Sequence, residues 1–368
     1  MKKILYLGPD KHYENSGLHL ATRNVITKLI EKGYPIDVEE VSSTKNDLLL
    51  PLVGALAAVR ILLKSKDYSL VILFGETFAN HVYFVMQKSI VFLHHLPEME
   101  KAASESNSNF LGLIKYNYRK KVVHSLNKCK AIITSTLYNK DSFTNCCRCD
   151  PKKIHLIRSP IELNVYMKKE INKSAFLSRY GVKESKKAVY LLYVGSETSR
   201  KNFILILKAL ALLNKEQFHL IKIGNHGSTL NRNNHSSFIK KHRLNVSFIE
   251  AVNEEELVGF YNIADLYINP SLFEGFGRTP LEAQACGLPV ISSDCGALKE
   301  VLGDSAYILK NPKDARELKE AILNMLDDEA LRESYTKKGF ENVKRFSLEK
   351  QVQAWENLLL SLGDTNNS

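Results

Sequence analysis

The stretch YINPSLFEGFGRTPLEAQACGLPVISSDCGALKE, Tyr267 to Glu300, reads as strand, glycine-rich loop, helix and strand. Tyr267-Ile268 closes a short apolar run, and Glu274-Gly275-Phe276-Gly277 follows as a loop whose glycines let backbone N–H groups come close to a ligand. The pattern predicts a helix with Thr279 as N-cap, Pro280 at the first helical position and Glu282 three residues after the cap, a capping box. Gly287 and Pro289 stop that helix, and the apolar run after them has the character of a buried strand. A glycine loop feeding a helix N-terminus attracts anions, because orphan N–H groups and the helix dipole point the same way. Two carboxylates, Glu274 and Glu282, flank this anion site. Carboxylates repel phosphate, so their natural partners are hydroxyls, as on a sugar or a ribose. A plainer reading stands beside this one: Glu282 only caps its helix, and Glu274 is a solvated loop residue.

Outward from this stretch, strand and helix alternate. Lys3 to Pro9 reads as a strand, and Ser16-Gly17 follows in a loop. Leu20, Val25, Ile26, Leu29 and Ile30 then form a helical stripe that Gly33 ends, before strand character returns at Ile36 to Val41. This is a Rossmann-type beginning, but the dinucleotide pattern GxGxxG is absent. Strands are predicted at Ser69–Glu76 and Ser89–Glu98, a basic helix at Phe110–Lys128, then a strand from Lys130 running into a loop, and a strand within Lys152–Glu162. Asn164–Lys187, with little apolar periodicity, reads as a linker with a lead-in helix. A second series follows: strand Ala188–Ser196, helix Phe203–Leu213, strand His219–Asn225, a polar loop Asn225–Ser236, strand Val246–Val252 and helix Glu254–Asn262. Repeated βα units on both sides of a linker predict an α/β protein with parallel sheets in two Rossmann-like domains, 1–163 and 164–345. Val352, Trp355 and Leu359 give the tail 346–368 one apolar helix face, and DTNNS after it reads as disordered.

Length and composition agree with that plan. A chain of 368 residues fits two domains better than one, and 44% apolar with 25% charged residues is a globular composition. No apolar run reaches the roughly 18–20 residues of a membrane span, and Gly8, Pro9 and Asp10 end the N-terminal apolar run too early for a signal peptide. Cys129, Cys146, Cys147, Cys149, Cys286 and Cys295 then read as reduced thiols of a cytosolic chain. Cys146, Cys147 and Cys149 are too tightly spaced for the usual zinc pair, so no metal is predicted. The net charge of +11 is concentrated early: residues 1–165 hold 23 basic against 15 acidic side chains. Lys115 to Lys130 carries six basic residues and no acid, with Tyr116 and Tyr118 among them. That helix reads either as a solvated face or as a peripheral contact with an anionic membrane. Nucleic acid is not predicted, since no recognised motif accompanies the charge.

Pro270 to Val301 resembles the donor-site signature of family 4 of the retaining glycosyltransferases, whose core is an E-x7-E pair matched by Glu274 and Glu282. The likeness extends more weakly before Leu191. It implies a GT-B fold, with two Rossmann-like domains facing across a cleft, an acceptor-binding N-terminal domain, a nucleotide-sugar-binding C-terminal domain, and a terminal helix crossing back to the N-terminal one. It also implies a UDP- or GDP-sugar donor, a glycan or lipid-linked saccharide acceptor, and no metal or other cofactor, consistent with the lack of an acidic DxD cluster. Such an enzyme would work in the cytoplasm at the inner membrane face, building cell-surface polysaccharide. By the resemblance, Glu274 holds donor-sugar hydroxyls and Glu282 the ribose. Gly17, Gly195, Gly224, Gly275, Phe276, Gly277 and Thr279 border the donor, and His94 at a strand end lies close to the sugar, in preference to His95. Lys201 transfers well as a diphosphate ligand, and Arg200 joins it by proximity. The chain departs from the pattern at Ser196, where relatives carry arginine, near Glu250, where they carry glycine, and at the turn Arg158-Ser159-Pro160-Ile161-Glu162. Two alternatives stay open: a nucleotide-sugar epimerase, since such enzymes share the GT-B architecture, and a non-catalytic nucleotide-sugar-binding subunit, which Ser196 and the altered turn leave open.

Overall fold

Among the described residues, strands and helices alternate and build two six-stranded sheets. The structure, a computed structural model, describes residues 3–9, 17–41, 63, 65–74, 83–93, 124–145, 148–185, 187–214 and 217–364. Two units separate: residues 1–160 together with 348–368, and residues 161–347.

In the first unit, β1 (Ile4–Pro9), β2 (Ile36–Val41), β3 (Leu70–Phe74), β4 (Ser89–Leu93), β5 (Ala131–Thr134) and β6 (Ile154–Leu156) lie in the order β2-β1-β3-β4-β5-β6. Every pairing is parallel. Side chains alternate across a strand, so each continuous apolar run feeds two layers at once. Leu5, Leu7, Val71, Leu73, Val91 and Leu93 pack on one face, with Phe143. Ile4, Tyr6, Ile72, Ile90 and Phe92 face the other, with Val25, Ile26 and Leu29 of helix Gly17–Glu31. That second layer is completed by helix Leu348–Asp364, whose Trp355 is 1% exposed and stacks on Phe92 at 6.3 Å. The apolar face read from Val352, Trp355 and Leu359 is thus what returns the chain terminus to the first sheet.

The second unit contains β7 (Val189–Val194), β8 (Phe218–Ile223), β9 (Val246–Ile249), β10 (Leu266–Asn269), β11 (Val290–Ser293) and β12 (Tyr307–Leu309), in the order β12-β11-β10-β7-β8-β9. All of these pair in parallel. From β7 the chain builds outward through β8 and β9, then returns to the other side of β7 for β10 and continues outward. The loops after β7 and β10 therefore leave neighbouring strands in opposite directions, the arrangement that opens a ligand crevice in α/β sheets.

Two predicted loops are helical. Asn225–Ser236 is not a polar loop throughout: Ser228 caps a helix Thr229–His242 through the Asn231 amide, and His235, Phe238 and Ile239 pack inward. Its apolar stripe is too sparse for periodicity to reveal. The segment after β5 likewise enters helix Leu137–Asn145, with Thr136 accepting from the Asn139 amide and Phe143 buried. Asn164–Lys187 holds its short helix at Lys173–Ser178, capped by Asn172.

Candidate active site

The loop after β7 and the loop after β10 are joined by backbone and side chain. The Leu272 amide donates to the Arg200 carbonyl at 2.8 Å, and Arg200 Nη1 donates to the Phe273 carbonyl at 2.7 Å. Asn202, in left-handed backbone at φ 54°, spans Pro270 O and Pro312 O at 3.1 and 2.7 Å. These contacts bring Arg200 and Lys201 to Glu274. Lys201 Nζ lies 2.5 Å from Glu274 Oε1, Arg200 Nη1 lies 3.2 Å from Oε2, and the Ser271 hydroxyl is 2.8 Å from Oε1. Glu274 is 9% exposed, so it is not a solvated loop residue. Burial raises its carboxyl, but Lys201 and Arg200 outweigh burial and hold it below the ordinary value. The sequence assigned the cations to phosphate and the carboxylate to sugar; here they partner one another.

Gly296 fixes the height of Glu274. The two residues form a parallel bridge, and the Ala297 amide donates to the Glu274 carbonyl at 2.8 Å. Gly296 has φ +68°, and a Cβ there would stand 2.4 Å from that carbonyl oxygen. Only glycine fits.

The capping box does not form. The helix runs Arg278–Ala285 with Gly277 as N-cap in left-handed backbone, φ 97°, and no side chain caps it. Thr279 instead hydrogen-bonds Tyr267. Glu282 accepts from Arg278 Nε at 2.7 Å and from the Tyr261 hydroxyl at 2.9 Å. Burial lifts its carboxyl above the ordinary range even against Arg278. A cap side chain was unnecessary because glycine turned the chain into the helix directly. Phe276 is buried with its ring edge-on to Phe346 at 5.6 Å, so its backbone is what it offers a ligand.

Sequence reasoning missed a second charged cluster beneath these loops. Glu197, 1% exposed, accepts from His235 Nδ1 at 2.7 Å and pairs with Arg232 Nε at 3.0 Å and Lys222 Nζ at 3.2 Å. Lys222 is fully buried in β8 and donates to the carbonyls of Gly224 and Asn225, tying the loop after β8 to the loop after β7. The Gly195 amide donates to Ile223 O and the Gly224 amide to Ile249 O, both at 2.9 Å, so these glycines extend the sheet's strand ends. The lone lysine inside the apolar run FHLIKI was the available signal. Arg278 and Glu162 were missed too, although Arg278 and Glu282 stand at helical i,i+4 spacing.

Gly17 is the first residue of helix Gly17–Glu31, following β1 in the first unit. His94, His95, Cys146, Cys147 and Lys115 to Lys121 lie outside the described residues. Cys129, Cys149 and Cys286 are buried, and burial pushes the Cys129 and Cys286 thiols up to about 12. Among the described residues no group of three or more His, Cys, Asp or Glu is placed to hold a metal ion, and no helix is long and apolar enough to cross a membrane.

Two parallel α/β units, the second with a glycine loop and helix start at its switch point, define a protein of the GT-B type. Sucrose-phosphate synthase from Thermosynechococcus elongatus has this fold: it superposes with a TM-score of 0.82 at 17% identity, over 99% of this chain and 100% of that one. The family model of glycosyl transferases group 1 matches residues 178–342. Escherichia coli O-antigen chain mannosyltransferase B is 33% identical over 178 residues, 46% of this chain but only 43% of the relative's length. The Salmonella typhimurium O-antigen chain mannosyltransferase RfbU is 26% identical over 294 residues, 77% of this chain and 73% of that protein.

Proposed function

We propose that this chain is a retaining, metal-independent glycosyltransferase that moves a hexosyl residue, mannosyl by its relatives, from a nucleotide-diphosphate sugar to a glycan or lipid-linked saccharide. The observation that carries this is the Glu274 carboxylate held by Lys201 and Arg200 at the switch point, within the segment matched by the family model.

The chemistry follows from these groups. Lys201, Arg200 and the amides at the start of helix Arg278–Ala285 supply positive potential where the donor diphosphate gains charge as it leaves, an effect usually large in such sites. In transfer, the bond from the anomeric carbon to the phosphate oxygen breaks, a bond to the acceptor oxygen forms on the same face, and the acceptor's proton passes to the departing phosphate. Fixed cations substitute for the divalent ion in this scheme. Glu274 takes donor-sugar hydroxyls and favours positive charge developing on the sugar ring. Glu282 takes the ribose. The cysteine usage supports a cytoplasmic location, and the charge of Lys115 to Lys130 supports contact with an anionic membrane face.

The deciding experiment supplies UDP- and GDP-linked sugars carrying labelled hexose, in excess EDTA, with lipid-linked saccharide acceptors. Label appearing on the acceptor with retained anomeric configuration is the expected result. Isomerised donor without transfer would establish an epimerase, donor binding without either would establish a binding subunit, and activity abolished by EDTA would refute metal independence. Flotation with anionic liposomes at low salt checks the membrane contact.

A further inference from the structure

The mechanism above leaves Arg278 without a task, yet few charges in its unit are held so firmly. Arg278 opens helix Arg278–Ala285 and is 9% exposed. Its Nε donates to Glu282 Oε1 at 2.7 Å, and its Nη2 donates to Glu162 Oε2 at 2.7 Å, across 116 residues of sequence. Glu162, 6% exposed, is itself anchored by its neighbour: the Ile161 amide donates to Phe346 O at 2.8 Å, and the Phe346 ring carries Phe276. The turn that departs from the family pattern thus braces the glycine loop.

Two buried carboxylates around one guanidinium are a poor solution for stability alone, since each buried charge costs several kcal/mol of solvation. The arrangement suits orientation better. A carboxylate has about four acceptor positions, of which Arg278 and Tyr261 occupy one on each oxygen of Glu282. The remaining positions are thereby fixed in direction, and hydrogen bonds weaken steeply when misaligned. We propose that Arg278, braced by Glu162, is a positioning residue that sets the plane of the Glu282 carboxylate for the vicinal hydroxyls of the donor ribose. The proposal rests on the reading of Glu282 as the ribose ligand.

Calorimetric titration of GDP and UDP, each beside its 2′,3′-dideoxy counterpart, tests it on the unmodified protein, Arg278→Lys and Glu162→Gln. The unmodified protein should prefer the ribose form by roughly 10–100-fold, the worth of one hydrogen bond to a charged group. Arg278→Lys, which keeps the charge but loses the fork, should cut that preference to a few-fold while dideoxy affinity stays within about twofold. Glu162→Gln should reduce it partially and decides the matter alone if Arg278→Lys does not fold. Equal losses for both forms, or an unchanged preference, overturn the role of Arg278. No ribose preference in the unmodified protein refutes Glu282 as the ribose ligand, and this proposal with it.

Discussion

Lys201 Nζ stands 2.5 Å from Oε1 of Glu274, so two residues assigned from sequence to different parts of a donor are a single ion pair. Both are largely buried, with side-chain exposures of 17% and 11%. Lys201 and Arg200 keep the Glu274 carboxyl below its ordinary value. Under the proposed function, a diphosphate arriving at Lys201 would share it with Glu274, and the pair would couple the phosphate end of the site to its sugar end.

Lys201→Ala should therefore lower turnover by one to three orders of magnitude, as removal of a charge-stabilising donor does elsewhere. Arg200 and Ser271 still hold Glu274, so the fold should survive. Steady-state kinetics with the labelled donor measures this, and full activity would remove Lys201 from the diphosphate site.

Glu274→Gln should cost at least about 100-fold in turnover and change the acid profile of stability. The folded carboxyl lies below its ordinary value of 4.5, so its stabilising charge is fully present above that value and is lost as pH falls through the lower folded one. The gap in melting temperature between wild type and Glu274→Gln should be constant near neutrality and close below about pH 4. A gap that persists unchanged in acid would contradict the pairing.

Lys222→Met should be among the most damaging single changes in the second unit. It leaves Glu197 with Arg232 and His235 as its partners and releases the carbonyls of Gly224 and Asn225. Breaking one side of a buried pair costs about 3–5 kcal/mol. Urea denaturation should show that loss, and Lys222→Met combined with Glu197→Gln should cost less than the two singles added.

Gly296→Ala should destabilise the protein by more than about 1 kcal/mol, because it adds both a positive-φ penalty and a collision with the Glu274 carbonyl. Turnover should fall with it, since Glu274 cannot hold its position while its backbone is displaced. Wild-type kinetics in this variant would show that the bridge is dispensable.

The amino-acid sequence by itself determined the two parallel α/β layers, because continuous apolar runs such as SIVFL and VYLLYV can be buried only between helices. It also placed Glu274, Lys201 and the glycine loop at strand ends, since strand, turn chemistry and helix follow in order along the chain. It could not reveal the helix Thr229–His242, held by a serine cap and a few inward side chains rather than by a stripe. Nor could it pair Glu162 with Arg278, or Glu197 with Lys222, because those partners meet only once the strand order puts β7 between β8 and β10 and the turn at Ile161 against Phe346. Tertiary structure decided the job of Glu282 as well: a capping role required Thr279 outside the helix, and Gly277, with φ at 97°, started the helix earlier and left Glu282 to Arg278 and Tyr261.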